Sequence, residues 1–376
     1  MNIVLFCHSL LSDWNHGNAH FLRGIASECV ARGHSFTAYE PVDAWSVHNL
    51  IAERGALPED ELRRVYPTLS TVRYDPAALD LDQALNGANL VVVHEWNPPE
   101  LISAVGRHRR GGGRYALLFH DTHHRSVTDP AAMSALDLEG YDAVLAFGEA
   151  IRAKYEEAGW ARRVFTWHEA ADPRVFHPYP AIVPESDVVW IGNWGDGERT
   201  AELREFLFEP VAAEHASATV YGVRYPAEAI TELRHAGIVY GGFIANYRAP
   251  DAFARHRVTM HVPRGPYTRS LPGIPTIRVF EALACGIPLV SAPWTDSEGL
   301  FRHGDYRSVR DGGETRAALR ELLSDESARR ELAKRGRETV LGRHTCAHRV
   351  DQLFGIVQKL GFTVTSSQAV ERMAAS

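Results

Sequence analysis

Short apolar runs recur along the chain, separated by longer stretches in which apolar residues return every three or four positions. In the first half the runs are Ile3–Cys7, Ser35–Tyr39, Thr71–Tyr74, Leu90–His94, Tyr115–Phe119, Ala143–Phe147 and Val164–Trp167. They resume at Val188–Ile191, Ala218–Tyr221, Ile238–Tyr240, Thr259–Val262, Leu289–Ser291 and Arg307–Val309. The intervening stretches carry helical periodicity, as in Ala19–Arg32, which Gly33 ends. Strands rich in Val and Leu that alternate with helices predict parallel sheets covered on both faces. Between the two series lies "ADPRVFHPYPAIVPESD", residues 171 to 187, rich in proline and without periodicity, which reads as a linker.

The fold class expected is therefore α/β, with two Rossmann-like doubly wound parallel-sheet domains facing a central cleft. The expected boundaries are residues 1–178 and 179–360, with the tail 361–376 packing back on the first domain. A length of 376 residues suits two such domains. A net charge of −7 supplies no cation excess to displace phosphate counterions, which argues against a general nucleic-acid binder. Cys7, Cys29, Cys285 and Cys346 lie far apart with no CxxC pair, as expected of reduced thiols rather than a disulfide frame. No apolar run approaches a membrane span, and the chain opens directly on a strand, so a cytoplasmic location is expected.

In doubly wound sheets, ligands bind beyond the carboxyl ends of the strands. After Val188–Ile191 comes "GNWGDGERTAELREF", a glycine-rich turn with Asn193 and Trp194 and then Arg199 near a helix start. Free amides and a guanidinium beside a helix N-terminus suit a phosphate or pyrophosphate. After Thr259–Val262, "PRGPYTRSLPG" offers Arg264 and Arg269, each of which reads equally as a solvated loop residue. In "YGGFIANY" the glycines let backbone approach a flat group, with Tyr240 or Phe243 stacking on it. The stretch "LPGIPTIRVFEALACGIPLVS" reads as a loop, a helix capped by Thr276, a turn at Gly286 and a buried strand. Arg278 and Glu281 share one face of that helix, while Ile277, Phe280 and Ala284 share another. A carboxylate accepts two hydrogen bonds side by side, which matches a vicinal ribose diol.

In the first half, "FHDTHHR" places His120 and Asp121 just after a strand, as a histidine to face a reacting group and an acid to orient it or act as base. A polar loop that caps the next helix is an equal reading. A metal site from His120, His123 and His124 is disfavoured, because their spacing fits one side of neither a helix nor a strand. "HEWN" brings His94 and Glu95 to the end of a neighbouring strand, and "SDWNHGN" a loop around Gly17 to the first. Asp80-Leu81-Asp82 precedes a strand, whereas a metal-binding DxD should follow one. "RHRRGGGR" reads as a solvated helix end, with contact to a membrane surface as the less favoured alternative.

The segment "RVFEALACGIPLVS" resembles the donor-site helix of GT-B glycosyltransferases of the group-1, family-4-like type. "HTCAHRVDQLF" is similar to the closing helix of the spore-maturation (CgeB-like) branch. "HEAADPRVFHP" is similar to the interdomain segment, and "GNAHFLRGIASECVARGH" to the first βα unit. The resemblance implies retaining glycosyl transfer from a nucleoside-diphosphate sugar, with no metal and no other cofactor. Glu281 takes the place of the ribose-binding glutamate. The relatives' second glutamate, eight residues earlier, is here Gly273, so sugar recognition falls to backbone of residues 273 to 276, Ile274 and Thr276 included. The acceptor, a small molecule or glycan, falls to the first domain, with His94, Glu95 and His123 as candidate contacts and His120 and Asp121 as catalytic ones. Two alternatives stand beside this: another GT-B chemistry (a nucleotide-sugar epimerase or a phosphorylase) and a non-catalytic nucleotide-sugar-binding subunit.

Overall fold

A computed structural model describes residues 1–195 and 197–364. The chain forms two compact units, Met1–Glu169 with the segment from Cys346 onward, and Ala170–Thr345. In the first, the parallel sheet runs β3-β2-β1-β4-β5-β6-β7. Its strands are β1 (Asn2–Phe6), β2 (Ser35–Pro41), β3 (Thr71–Tyr74), β4 (Leu90–His94), β5 (Ala116–Asp121), β6 (Ala143–Ala146) and β7 (Val164–Thr166). Every residue of β4, β5 and β6 is buried, which explains why those runs are continuously apolar rather than alternating. The order reverses between β1 and β4, which pair directly in the register Ile3 to Leu90 and Phe6 to Val93.

The second unit repeats the plan with the order β10-β9-β8-β11-β12-β13. Its strands are β8 (Ser186–Ile191), β9 (Ala218–Tyr221), β10 (Ile238–Gly242), β11 (His256–His261), β12 (Leu289–Ser291) and β13 (Arg307–Ser308). Here the reversal falls between β8 and β11, paired in parallel with Val188 opposite Val258. The core includes Val188, Trp190, Leu203, Phe206, Val220, Leu233, Val258 and Leu319. Among the described residues, no helix is long and apolar enough to cross a membrane.

Two boundaries differ from expectation. The units divide after Glu169 rather than at 178, and helix Cys346–Lys359 belongs to the first unit rather than the second. Val350, Leu353, Phe354 and Val357 form a helical stripe that is buried as the helix packs on Ala19–Ala31. Arg349, almost fully buried, donates through Nε to the carbonyls of His168 (2.8 Å) and Glu169 (3.2 Å). The indole of Trp167 returns a bond to the Arg349 carbonyl at 2.8 Å. A helix far along the chain is thus bonded to the segment that follows β7. The expected packing of the tail falls for residues 365–376 outside the described residues.

Arg349→Ala strands two buried carbonyls and opens a cavity. Hydrogen bonds to charged groups contribute about 1.5–3 kcal/mol, so the first unit should lose about 3 kcal/mol. Native-state hydrogen exchange in residues 164–169 and 346–359 measures that loss, and an unchanged protection pattern would refute the anchor.

Candidate functional site

At the carboxyl edge of the second sheet, three glycines bring the ends of β8, β9 and β10 into backbone contact. A Cβ on Gly222 would stand 2.0 Å from the Gly192 carbonyl oxygen, and the Gly222 amide donates to the Gly242 carbonyl at 2.8 Å. Only glycine permits that approach. The loop after β8 is joined to the loop after β11. Arg199 donates through Nη1 to the Val262 carbonyl at 2.9 Å and through Nη2 to that of Asn193, and its guanidinium lies 5.0 Å from the Trp190 ring. Arg264 pairs with Glu198 at 3.3 Å, and the Gly265 amide donates to the Glu198 carbonyl at 3.2 Å. Burial lowers Arg199 to about 10, which leaves it charged at neutral pH. Arg199, expected to face an anion, is instead a buried clasp between two loops.

Tyr240 and Phe243 depart from the expected flat-group platform, and Trp194 from the expected ligand-facing turn. Trp194 stacks towards Phe208 and Tyr225 in the core. The Tyr240 hydroxyl donates to the Gly222 carbonyl at 2.9 Å with its ring on Tyr225, and Phe243 is buried. These aromatics are core side chains because each strand of this unit needs apolar cover on both faces. Asn193 likewise accepts from the Val223 amide at 3.1 Å through its side chain, which shapes the turn.

The helix Ile277–Cys285 begins after Thr276 in extended conformation and ends on left-handed Gly286. The Val279 amide donates to the Thr276 carbonyl at 3.1 Å, while the first-turn amides before it precede the helical ladder and face the same edge. Glu281 is fully buried, not merely on a ligand-facing stripe, and Arg278 donates to its Oε2. The other arm of Arg278 reaches Asn246 Oδ1 at 2.9 Å. The pair is one-sided, since the Arg278 side chain keeps 20% exposure while Glu281 keeps none. Gly273, at φ +90°, donates its amide to the Thr295 carbonyl at 2.7 Å. A Cβ there would meet Glu298 and Ser297 within 2.8 Å, so the Ser297–Glu298 loop fills the space against it. Ile274 is buried and Thr276 half-buried beside it. Behind the helix, His344 bonds the Leu300 carbonyl at 2.7 Å and packs on Phe280.

In the first unit, His94 ends β4 and His120 and Asp121 are the last residues of β5, two positions beyond the end expected from the apolar run. His120 is fully buried among Phe21, His94 and Trp167, and neither ring nitrogen is hydrogen-bonded. Asp121 accepts from the Tyr155 hydroxyl at 2.9 Å and the His123 amide at 3.1 Å. Glu95 lies close enough for each carboxyl to act on the other's ionisation. Glu95 accepts from the Thr122 amide at 2.7 Å and from Arg125 Nη2 at 2.8 Å. Burial raises both carboxyls, and the charge of Asp121 adds to the rise at Glu95, so the pair retains a proton well above the ordinary carboxylate range. His94 Nδ1 accepts from the Trp96 amide, which leaves its proton on Nε2 to donate to Thr122 Oγ1 at 3.1 Å. The Thr122 hydroxyl in turn donates to Glu95 at 3.1 Å. His123 stands apart, its ring 5.0 Å from Trp96.

Two histidines missed from sequence extend this network. His8, just beyond β1, and His16, beside Gly17, are buried, and ring contacts run from His8 to His16 (5.8 Å), His16 to His94 (6.0 Å) and His94 to His120 (5.2 Å). Histidine directly after a first strand was the available clue. Among the described residues, no group of three or more His, Cys, Asp or Glu is placed to hold a metal ion. Asp80 caps a helical turn through the Gln83 amide, and Asp82 pairs with His108 at 3.1 Å. Arg109 and Arg110 of the basic cluster are engaged by Gly113 and Glu139.

Burial lowers His8 to about 4 and His120 to about 3, and pushes His16 and His94 well below their ordinary value. The unfolded chain, with histidine near 6.5, then binds more protons than the folded one. Stability is complete above pH 6.5 and is lost as pH falls towards the folded values. Replacing His120 by Phe removes one such group, so between pH 7 and 5 the variant should lose about 2 kcal/mol less than the parent. Urea unfolding at the two pH values measures this, and an equal loss would show that His120 takes up its proton over the same pH range folded and unfolded.

Residues 199–355 match the model of a family described as glycosyl transferase-like. No curated protein matches the sequence. The fold is similar to that of sucrose-phosphate synthase from Thermosynechococcus elongatus, at TM-score 0.65 and 15% identity over 96% of this chain and 99% of that one. HepE of Anabaena, solved with UDP-glucose, gives 0.66 and 15% over 96% and 100%. BGT of T4 phage, solved with UDP and Mn2+, gives 0.58 and 12% over 96% and 99%. The chain thus has the GT-B fold over nearly its whole length, and its sequence through most of the second unit is glycosyl transferase-like.

Proposed function

We propose that the chain transfers a hexose-like sugar from a uridine-diphosphate sugar to a hydroxyl of a small-molecule or glycan acceptor, without a metal ion and with retention. The observation that carries the donor assignment is the helix Ile277–Cys285, which brings first-turn amides and the buried Glu281 to the carboxyl edge of the second sheet. The amides and Arg264 receive the diphosphate, whose departure is the main electrostatic demand of the reaction. Arg278 pairs with Glu281 and orients it, and Glu281 receives the ribose diol. Arg199 acts indirectly, because its donors hold the two loops that shape the site. Backbone at Gly273, Ile274 and Thr276 receives the sugar. HepE with UDP-glucose and BGT with UDP support the choice of nucleotide.

The first unit takes the acceptor. His94, Glu95, His120 and Asp121 form its polar centre, with Glu95 keeping the proton and Asp121 held by the Tyr155 hydroxyl and the His123 amide rather than acting as a free base. The His344–Phe354 segment supports the spore-maturation branch, and the composition supports a cytoplasmic location.

Glu281→Gln keeps volume but exchanges a charged acceptor for a neutral one. UDP affinity should fall by about tenfold to a hundredfold, and the effect should vanish for an analogue whose ribose lacks both hydroxyls. Calorimetric titration distinguishes this from an ion pair of purely structural role, for which the two ligands would respond alike. Turnover should also persist in excess chelator. Activity abolished by chelator and restored by magnesium or manganese would sink the metal-free reading.

A further inference from the structure

The ring contacts of the first unit do not end at His8. Trp45, the first residue of helix Trp45–Arg54, stacks on His8 at 4.5 Å and 27°, yet remains 38% exposed. Trp14 stands against it at 6.1 Å and 77°, so the two indoles make a corner. The loop that carries Trp14 is laced to the neighbouring segment by side chains. Ser9 Oγ donates to Glu40 at 2.6 Å, Ser12 Oγ to the Ser46 carbonyl at 2.7 Å, and the Trp14 indole to Glu53 at 2.7 Å. Arg23 holds Asp13 of the same loop at 2.7 Å. The corner is preorganised, and it sits at the carboxyl ends of β1 and β2, the edge where such sheets take ligands.

An exposed tryptophan face bounded by polar groups has a definite chemical complement. The apolar C–H face of a pyranose ring covers an indole, and its hydroxyl rim needs acceptors. Asp43 and Glu53 border the corner as exposed carboxylates. Two carboxylates disfavour a phosphate or an anionic lipid surface. We propose that the Trp14–Trp45 corner is a subsite for an uncharged sugar ring of the acceptor, with the bordering carboxylates taking its hydroxyls. This rests on the glycosyl-transfer reading for the word acceptor, although the subsite itself does not depend on the donor site.

The test is calorimetric titration of the full chain with cellobiose, maltotriose and chitobiose, and separately with UDP. At least one saccharide should bind, Trp45→Ala and Trp14→Ala should each weaken it by about tenfold, and UDP affinity should not change. Trp45→Phe should retain most of the saccharide affinity, which keeps the test decisive if Trp45→Ala does not fold. UDP binding with no saccharide binding would overturn the subsite, as would saccharide affinity unchanged in both alanine variants. Binding of phosphatidylglycerol vesicles in place of saccharide would overturn it in favour of a membrane surface. Saccharide binding without UDP binding would uphold the subsite and remove the donor assignment instead.

Discussion

Parallel pairing is the constraint from which the rest follows. When every strand of a sheet points the same way, every loop beyond a carboxyl end gathers on one edge, and the reversal of strand order leaves room there. Both units obey it, with reversals between β1 and β4 and between β8 and β11. Each then uses a guanidinium to fix the loops that flank or adjoin the reversal. Arg199 bridges Asn193 and Val262 beyond β8 and β11, and Arg125 holds Glu95 beyond β4. A planar group with several donors suits this, because one side chain satisfies carbonyls or carboxylates from separate segments.

The two edges differ in electrostatic character. The second is built from glycine backbone contacts, helix-terminal amides and arginines, an environment that favours anions. The first is a row of neutral imidazoles beside a carboxyl pair that retains a proton. Burial keeps those imidazoles uncharged, so they serve as lone pairs and N–H donors of fixed direction rather than as positive charge. Such a surface matches hydroxyl groups better than phosphates, in keeping with a division into donor and acceptor units.

Apolar periodicity revealed the strands because β4, β5, β6 and β12 are buried throughout and nothing else in their sequence competes. It misplaced the end of β5, where His120 and Asp121 are polar by composition but belong to the ladder. The last helix was assigned to the wrong unit because adjacency in sequence says nothing of Arg349 bonding carbonyls nearly two hundred positions away. Arg199 and Trp194 looked ligand-facing because a glycine-rich turn does not disclose which side chains fold back under it. Glu281 stood out through its oddness in an apolar helix, and its burial beneath Arg278 makes it odder still. His8 offered a clue by following the first strand, whereas His16 was legible only once the sheet order had brought its loop beside His94.

The central claim is that the edge beyond β8 and β11 receives a nucleotide sugar. Hydrogen exchange of the full chain with and without UDP-glucose addresses it residue by residue. The account predicts slowed exchange at residues 192–195, 262–265 and 276–281, with little change along β4 and β5. Slowing absent from those segments while UDP-glucose is bound, or confined to the first unit, would contradict it.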